Sequence, residues 1–286
     1  MFPNPNPLRQ HLNTGRSIHG LYIQMPWPDG VEIAAAAGYD YVIIDEEHGS
    51  FDFAQTIHMI RAAESRGIAA IVRVPDHSPA RIRKALEAGA VGVYVPDIRT
   101  QEQAAAAVAA IKFGVVGAHG RGACPTVRAT GSGAGGAVWG EFVHWNDRNV
   151  LVCLLIESRQ GMENLDAILS VPGVDVAILG RFDLAHEMGI YGDRYGKTMN
   201  DLFEGFVTRC QGAGVHYVTR LTQSDPDLAQ NECEKWLARG ARIFNVGSDR
   251  ELVARAFRDA LRPFTRAQQQ GCHSSCVARV APQSND

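Results

Sequence analysis

The feature that most constrains the fold is the regular alternation of short apolar segments with amphipathic helical patterns. Eight apolar segments are rich in β-branched residues, which favour strands, and they cover residues 19–25, 41–45, 69–74, 92–96, 150–157, 174–179, 216–221 and 242–246. Helical periodicity is present in residues 30–37, 53–66, 79–88, 101–111, 161–169, 199–212, 226–238 and 251–264. Strands and helices alternating in this number predict a closed parallel α/β barrel, the (β/α)8 or TIM barrel.

The series of strands and helices continues without a linker or a change of composition, so we expect residues 1–270 to form a single barrel domain. Residues 271–286 are mostly polar, which predicts a disordered C-terminal tail. Cys272, His273 and Cys276 lie in this tail, but their spacing is not that of the usual zinc sites. We therefore expect the tail to be solvated rather than metal-bound.

Charge and composition exclude several classes of partner. The formal net charge is -3 at pH 7, so the chain has no overall attraction for nucleic acid or for anionic membranes. No apolar run is long enough for a membrane span, and the first residues lack the basic and apolar regions of a secretory signal. We expect a cytoplasmic protein that acts on small molecules.

Ionisable residues follow four of the predicted strands at the point where each strand ends. Asp45 and His48 follow the second strand, Arg73 ends the third, Glu157 ends the fifth and Asp183 follows the sixth. Because all strand carboxyl ends open at one face of a parallel barrel, these side chains should converge in one pocket. Any one of them alone is typical of a helix cap or a surface ion pair. Four strand ends that supply such groups together predict an active site.

The residue types indicate the chemistry of this site. The oxygen ligands of Glu157 and Asp183 suit a divalent metal ion, Mg²⁺, Mn²⁺ or Co²⁺. Asp45 precedes His48 by three residues, and a carboxylate that hydrogen-bonds an imidazole prepares it to act as a general base. Arg73 supplies a permanent positive charge that can stabilise a developing enolate or alkoxide.

One long segment, residues 114–149, interrupts the alternation between the fourth helix and the fifth strand. Its glycine-rich runs do not follow a strand and open a helix, and no Gly-Lys-Ser/Thr sequence is present, so they do not indicate a nucleotide site. A connection of this length in a compact domain is often functional or mobile. We expect it to form a flexible lid over the mouth of the barrel.

The strand-end motifs resemble those of the HpcH/HpaI aldolase family, the metal-dependent class II pyruvate aldolases. The motifs are Asp-Glu-Glu-His at 45–48, Val-Arg-Val-Pro at 72–75, Ile-Glu at 156–157 and Gly-Arg-Phe-Asp-Leu at 180–184, and the resemblance covers residues 6–265. It implies a phosphoenolpyruvate/pyruvate-type barrel in which Glu157 and Asp183 hold the metal ion. Pyruvate would bind to that ion through its carboxylate and keto oxygens.

The resemblance also implies roles for single residues. His48, oriented by Asp45, would transfer protons through water, and Arg73 would neutralise the enolate oxygen and the aldol alkoxide. Glu87 on the third helix of the series matches the family's carboxylate that raises the basicity of the histidine. The backbone at Phe182 would approach the carboxylate of pyruvate.

The implied reaction is reversible aldol cleavage of a 4-hydroxy-2-oxo acid to pyruvate and an aldehyde. An oxaloacetate decarboxylase or a macrophomate-synthase-like enzyme of secondary metabolism is an alternative, because it would need the same residues to form the enolate. A catalytically silent barrel that binds a keto acid is a third possibility. Metal-dependent exchange of the methyl protons of pyruvate separates this last one from both enzymes.

The chain departs from the family pattern at three positions. Leu155 replaces a glutamine that contacts pyruvate, Glu87 replaces an aspartate, and Arg181 replaces a proline. Members of the family assemble as trimers or hexamers that exchange the last helix between subunits. The resemblance therefore implies a homo-oligomer in which residues 251–264 cross to a neighbouring subunit.

Overall fold

The structure is a computed structural model that describes residues 6–114, 120–122, 124–133, 139–193, 195–221 and 226–277. Of residues 226 and 265–277 it describes the backbone alone. Among the described residues, no helix has both the length and the apolar character needed to cross a membrane.

Eight parallel strands close into a barrel in the order of the sequence, with the last strand hydrogen-bonded to the first. The strands are β1 (Ile18–Ile23), β2 (Tyr41–Asp45), β3 (Ala69–Arg73), β4 (Gly92–Val95), β5 (Leu151–Ile156), β6 (Val176–Leu179), β7 (His216–Thr219) and β8 (Ile243–Ser248). The predicted α/β barrel of the TIM type is thus confirmed.

One helix precedes the first strand, one follows the last, and the others lie between strands on the outside of the barrel. They are α1 (Pro7–Asn13), α2 (Pro28–Ala36), α3 (Phe53–Ser65), α4 (Pro79–Ala88), α5 (Gln101–Ile111), α6 (Trp139–Asn149), α7 (Arg159–Glu163), α8 (Leu165–Leu169), α9 (Arg181–Glu187), α10 (Lys197–Ala213), α11 (Pro226–Ala238) and α12 (Asp249–Val277). A short 3-10 helix spans Arg128–Thr130.

The core lies inside the barrel and between the barrel and its helices. Every residue of β2, β3 and β5 is buried, as expected for strands that helices cover. Inside the barrel the hydroxyl of Tyr41 donates a hydrogen bond to Asn245 Oδ1 (2.9 Å). The ring of Tyr41 occupies the space that a side chain at Gly20 would need, because an added Cβ would lie 2.2 Å from the ring. Small and large residues on neighbouring strands thereby fill the interior.

The segment 114–149 does not form a lid over the mouth of the barrel in the part that is described. It connects a helix to a strand, and in a parallel barrel such connections lie at the amino ends of the strands, opposite the mouth. Arg128 donates a hydrogen bond to the carbonyl of Ala88, the last residue of α4, which also lies at that end (2.7 Å). Residues 115–119, 123 and 134–138 lie outside the described residues.

The last helix is longer than predicted. It continues through Pro263 to Val277, so residues 271–277, which composition assigns to the disordered tail, are helical. Alanine, arginine and glutamine follow this proline, and all three have high helix propensity. Residues 278–286 lie outside the described residues, and disorder there stays a prediction.

Candidate active site

A cavity of about 540 Å³ opens at the carboxyl ends of the strands, and His48, Arg73, Glu157 and Asp183 all line it. These residues end or follow β2, β3, β5 and β6. The structure therefore brings together the ionisable residues that are far apart in the sequence. A barrel needs no such polar cluster for its own stability, so the cavity is the candidate active site.

Arg73 and Asp45 form a bidentate ion pair at the floor of the site. Arg73 Nε donates to Asp45 Oδ1 (2.8 Å) and Arg73 Nη2 donates to Asp45 Oδ2 (2.5 Å). The side chain of Asp45 has no exposed surface, and Gln24 donates a further hydrogen bond to it (2.8 Å). Although burial opposes ionisation, the bonds from Arg73 and Gln24 hold the pKa of Asp45 below its ordinary value. Asp45 is thus a permanent anion that fixes the arginine.

Asp45 does not contact the imidazole of His48, contrary to the prediction. Both of its oxygens accept from Arg73, and Oδ1 also accepts the backbone N–H groups of Glu47 and His48 (both 3.2 Å). The imidazole itself is 57% exposed, with Nε2 3.9 Å from Glu47 Oε2. Asp45 therefore positions His48 through the backbone of the loop and not through the ring.

Glu47 is a further ionisable residue of the site, and the sequence did not indicate a role for it. Its Oε2 lies 3.0 Å from Arg73 Nη1, yet this buried oxygen has no hydrogen bond of good geometry within the described part of the chain. Burial raises the pKa of Glu47. Glu47 could have been recognised from the sequence as a site residue because it lies inside the Asp-Glu-Glu-His motif, two residues after the strand end.

The loop that carries His48 is held from the first turn of α12. Arg250 Nη1 donates to the carbonyl of His48 (3.2 Å), and Nη2 donates to the carbonyl of Gln24 (3.0 Å) and to Ser50 Oγ (3.0 Å). The neighbouring Asp249 accepts the backbone N–H of Gln24 (3.0 Å). The last helix therefore orders the catalytic face, which the sequence did not indicate.

Glu157 extends from the end of β5 into the cavity. Its Oε1 accepts the backbone N–H of Asp97 (2.7 Å), and Asp97 adopts a left-handed conformation with φ 50°. Aspartate tolerates this conformation better than most residues. Burial raises the pKa of Glu157 to about 7, and the charges of Glu47 and Asp183 add to the shift.

Gly180 makes room for this carboxylate. A Cβ at position 180 would lie 2.4 Å from Glu157 Cβ and 2.6 Å from Glu157 Oε2. Any side chain there would have to displace Glu157. Gly180 directly precedes α9, whose first turn carries Asp183, so the glycine lets the fifth and sixth strand ends present their carboxylates side by side.

The carboxylates of Glu157 and Asp183 have the ligand chemistry that a divalent metal ion needs. Glu157 and Asp183 offer hard oxygen ligands. Burial, followed by the charges of Glu47 and Asp183, raises the pKa of Glu157, and a bound cation would favour its ionised form. Within the described ranges no group of three or more histidines, cysteines, aspartates or glutamates is arranged to hold a metal. Two protein carboxylates would therefore leave other coordination positions to substrate and water.

Tyr22, near the end of β1, also lines the cavity. The Arg73 guanidinium lies 5.1 Å from the centroid of its ring. Burial raises the pKa of Tyr22 to about 12. The phenol therefore stays protonated, available as a hydrogen-bond donor.

Comparison with known proteins identifies the family. The sequence matches the family described as HpcH/HpaI aldolase/citrate lyase over residues 19–256. The chain belongs to the HpcH/HpaI aldolase/citrate lyase family. It is therefore an enzyme of the aldolase and lyase type, and the resemblance seen in the strand-end motifs is confirmed.

Individual relatives cover most of the chain. A 2-keto-3-deoxy-L-rhamnonate aldolase of Salmonella gallinarum is 32% identical over 267 residues, which are 92% of this chain and 94% of that protein. The structure of an HpcH/HpaI family protein from Burkholderia cenocepacia has a TM-score of 0.80 at 28% identity, covering 91% of this chain and 99% of that one. Macrophomate synthase has a TM-score of 0.78 at 25% identity, covering 93% and 91%.

Glu87, which the resemblance implies as the carboxylate that raises the basicity of the histidine, does not lie beside His48 within one chain. Glu87 lies in the last turn of α4, where its Oε1 is 3.9 Å from Arg83 Nε. Since α4 begins at the carboxyl face, eight residues of helix place Glu87 about 12 Å along the axis toward the opposite face. His48 follows β2 at the carboxyl face. Within one chain, Glu87 therefore makes no contact that would raise the basicity of His48.

The other family positions lie in or beside the cavity. Phe182, in the first turn of α9, exposes 65% of its surface, so its side chain is not part of the core. Contact between its backbone and the carboxylate of pyruvate stays a prediction. Leu155, at the family's glutamine position, is buried on β5 and lines the cavity. The cavity therefore has an apolar side chain at the position where the resemblance implies a glutamine.

Proposed function

We propose that this HpcH/HpaI family enzyme is a divalent-metal-dependent pyruvate aldolase, which reversibly cleaves a 4-hydroxy-2-oxo acid to pyruvate and an aldehyde. One observation carries the proposal: a base, a buried cation and two adjacent carboxylates line one cavity, supplied by His48, Arg73, Glu157 and Asp183. The 2-keto-3-deoxy-L-rhamnonate aldolase relative supports the reaction class.

Glu157 and Asp183 would hold the metal ion, Mg²⁺, Mn²⁺ or Co²⁺. When bound, the ion supplies a Lewis acid that polarises the keto group of pyruvate and makes its methyl protons more acidic. The protein fixes the Glu157 carboxylate for this purpose through the backbone N–H of Asp97 (2.7 Å). The backbone of Phe182, next to Asp183, is proposed to contact the carboxylate of pyruvate.

The remaining residues move protons and stabilise charge. His48 has an exposed imidazole at the cavity, so it can exchange protons with the substrate through water. Arg73 is fixed by Asp45 and keeps its positive charge buried beside the substrate space. A preorganised cation of this kind stabilises the negative charge that develops on the substrate oxygen when the carbon–carbon bond breaks or forms.

Arg73→Lys should lower turnover by about 10²–10³-fold, the usual cost of a lost charge-stabilising donor. Lysine keeps a charge but cannot make the paired Nε and Nη2 bonds to Asp45. Steady-state rates at saturating metal, with metal affinity measured in parallel, test this. Arg61→Lys, on the exposed side of α3, is the matched control. Normal turnover of Arg73→Lys would show that Arg73 serves only as an ion-pair partner.

The experiment that tests the function is exchange of the methyl protons of pyruvate in D2O, followed by NMR with and without each metal ion. Metal-dependent exchange is expected. Its absence in the metal-loaded protein would overturn the proposal and support a silent keto-acid-binding barrel. A screen of aldehydes with pyruvate then identifies acceptors.

A second candidate is oxaloacetate decarboxylation or a macrophomate-synthase-like reaction in secondary metabolism. The structural similarity to macrophomate synthase, with a TM-score of 0.78, supports this second candidate. An oxaloacetate decarboxylation assay, run beside the aldehyde screen, separates the two. Fast decarboxylation with no aldol product would select this second candidate.

We also propose that the enzyme is a homo-oligomer, a trimer or hexamer. Phe257, Leu261 and Phe264 on α12 are 72%, 61% and 68% exposed, and their spacing places them on one helix face. A row of large exposed apolar side chains is typical of an interface. Molar mass from light scattering should be a multiple of 31.1 kDa, and a monomeric mass would contradict the proposal.

A further inference from the structure

Arg181 sets this chain apart from the family pattern and lies in the candidate site. It is the first residue of α9 and lines the same cavity as His48, Arg73 and Glu157. None of the roles proposed above uses it. Its position in the cavity would allow it to contact a bound substrate.

The guanidinium of Arg181 is held by aromatic rings and a single hydrogen bond. It lies 4.0 Å from the ring centroid of Phe203 and 5.5 Å from that of Tyr195. Its Nη1 donates to Asn200 Oδ1 (2.9 Å). These contacts fix the orientation of the side chain and leave further N–H groups of the guanidinium for a ligand.

The other arginines of the cavity are already engaged. Arg73 pairs with Asp45, Arg220 pairs with Glu251 at 2.7 Å, and Arg250 donates to backbone carbonyls. In the described part of the chain, no carboxylate lies within ion-pair distance of Arg181. Glu232 and Glu204 act on Arg181 electrostatically without forming an ion pair with it, and Glu204 forms its own ion pair with Arg239.

Several apolar side chains and a buried hydroxyl line the same cavity as Arg181. Ile178, Val218 and Phe203 line it, together with Thr219. Thr219 is 2% exposed, and its Oγ1 has no hydrogen-bond partner among the residues that the structure describes. Apolar side chains in the same cavity as a guanidinium with no carboxylate partner and a hydroxyl with no hydrogen bond suit a short alkyl chain with a terminal anion.

We propose that Arg181 binds a negatively charged group at the far end of the aldehyde acceptor, so that the preferred acceptor carries a carboxylate or a phosphate. The proposal rests on the aldolase function and specifies its substrate class. A guanidinium meets either group with two parallel hydrogen bonds, and partial burial between aromatic rings makes that pairing stronger than in open solvent.

Two matched pairs of acceptors test the proposal in the metal-loaded enzyme with pyruvate. Succinic semialdehyde is compared with butanal, and glyceraldehyde 3-phosphate with glyceraldehyde, so that the pairs separate a carboxylate from a phosphate. We expect the native enzyme to prefer the charged member of at least one pair. Arg181→Gln should raise KM for that acceptor by about 10- to 100-fold and change the neutral acceptor little. Arg181→Lys should restore part of the preference.

The controls separate a specific contact from other effects. Arg61→Gln, on the exposed side of α3, makes the same change in net charge and should leave the preference unchanged. Arg181→Pro is a second variant if Arg181→Gln does not fold, because proline is well tolerated at the first position of a helix.

Three results would overturn the proposal while leaving the aldolase function intact. The first is a native enzyme without preference for a charged acceptor, and the second is an unchanged preference in the Arg181 variants, both with normal pyruvate exchange. An equal loss in Arg61→Gln would assign the preference to net charge and also overturn it. Absence of pyruvate exchange in the native enzyme would overturn the aldolase function itself, and this proposal with it.

Discussion

His48→Ala should slow the exchange of pyruvate methyl protons by about 10²–10⁴-fold, the usual contribution of a positioned general base. The imidazole is exposed at the cavity, while its backbone is fixed by Asp45 and Arg250. Its removal therefore takes away a proton-transfer group without disturbing a packed core. NMR in D2O at saturating metal measures the rate, and metal titration should show little change in affinity.

His58→Ala is the matched control, because His58 is an exposed histidine on α3 that lines none of the cavities of the site. It should exchange pyruvate protons at the native rate. If His48→Ala also kept the native rate, the base would lie elsewhere. Glu47, with Oε2 3.9 Å from His48 Nε2 and a raised pKa, would then be the first residue to replace.

The barrel could be predicted because its pattern is carried by local sequence. The predicted and observed bounds agree at β2, at α4, at α5 and at α11. Fully buried strands such as β3 give continuous apolar runs, which are easily recognised. The helices that were missed, α1, α6 and α9, are short or lie within segments whose glycine-rich or site-forming residues obscure the periodicity.

The composition of the site could be predicted, but not its hydrogen bonds. The order of strands and helices alone brings the strand ends together. Which group Asp45 would bind depends on the register of β2 against β3, where Asp45 lies directly opposite Arg73. That pairing places the guanidinium closer to the carboxylate than the imidazole three residues later in the chain. The sequence spacing predicted His48 as the hydrogen-bond partner of Asp45, but in the structure the partner is Arg73 on the neighbouring strand.

The position of the segment 114–149 could have been predicted from the sequence. The segment follows a predicted helix and precedes a predicted strand, so it had to lie at the amino ends of the strands. Length and glycine content alone suggested a lid. The described contact of Arg128 with Ala88 places it at the other face. The first turns of α9 and α12 line the cavity instead.

Glu157→Gln should abolish metal-dependent activity and at the same time stabilise the metal-free protein at pH 8. Glutamine keeps an oxygen that accepts the Asp97 N–H but removes the charge that would bind the metal. In the metal-free protein that charge is buried beside Glu47 and Asp183, which raises the pKa of Glu157 from 4.5 to about 7. The ionised carboxylate of Glu157, which is proposed to bind the metal, therefore lowers the free energy of unfolding of the metal-free protein.

The sign of the pH dependence follows from this shift. Between pH 4.5 and about 7 the folded protein keeps a proton on Glu157 that the unfolded chain releases. The folded state therefore loses stability as pH rises through this window. Glutamine carries no charge at any pH, so the variant should gain about 1–3 kcal/mol over the native protein at pH 8. At pH 4.5 and below, the difference should disappear.

Denaturant unfolding of the metal-free proteins at pH 4.5 and pH 8, repeated with added Mn²⁺, measures both effects. Manganese should stabilise the native protein at pH 8 and have a much smaller effect on Glu157→Gln. Glu163→Gln, an exposed position on α7, should match the native protein throughout. A Glu157→Gln variant that was less stable than the native protein at pH 8 would contradict the burial argument. Full activity in the variant would remove Glu157 from the proposed metal site.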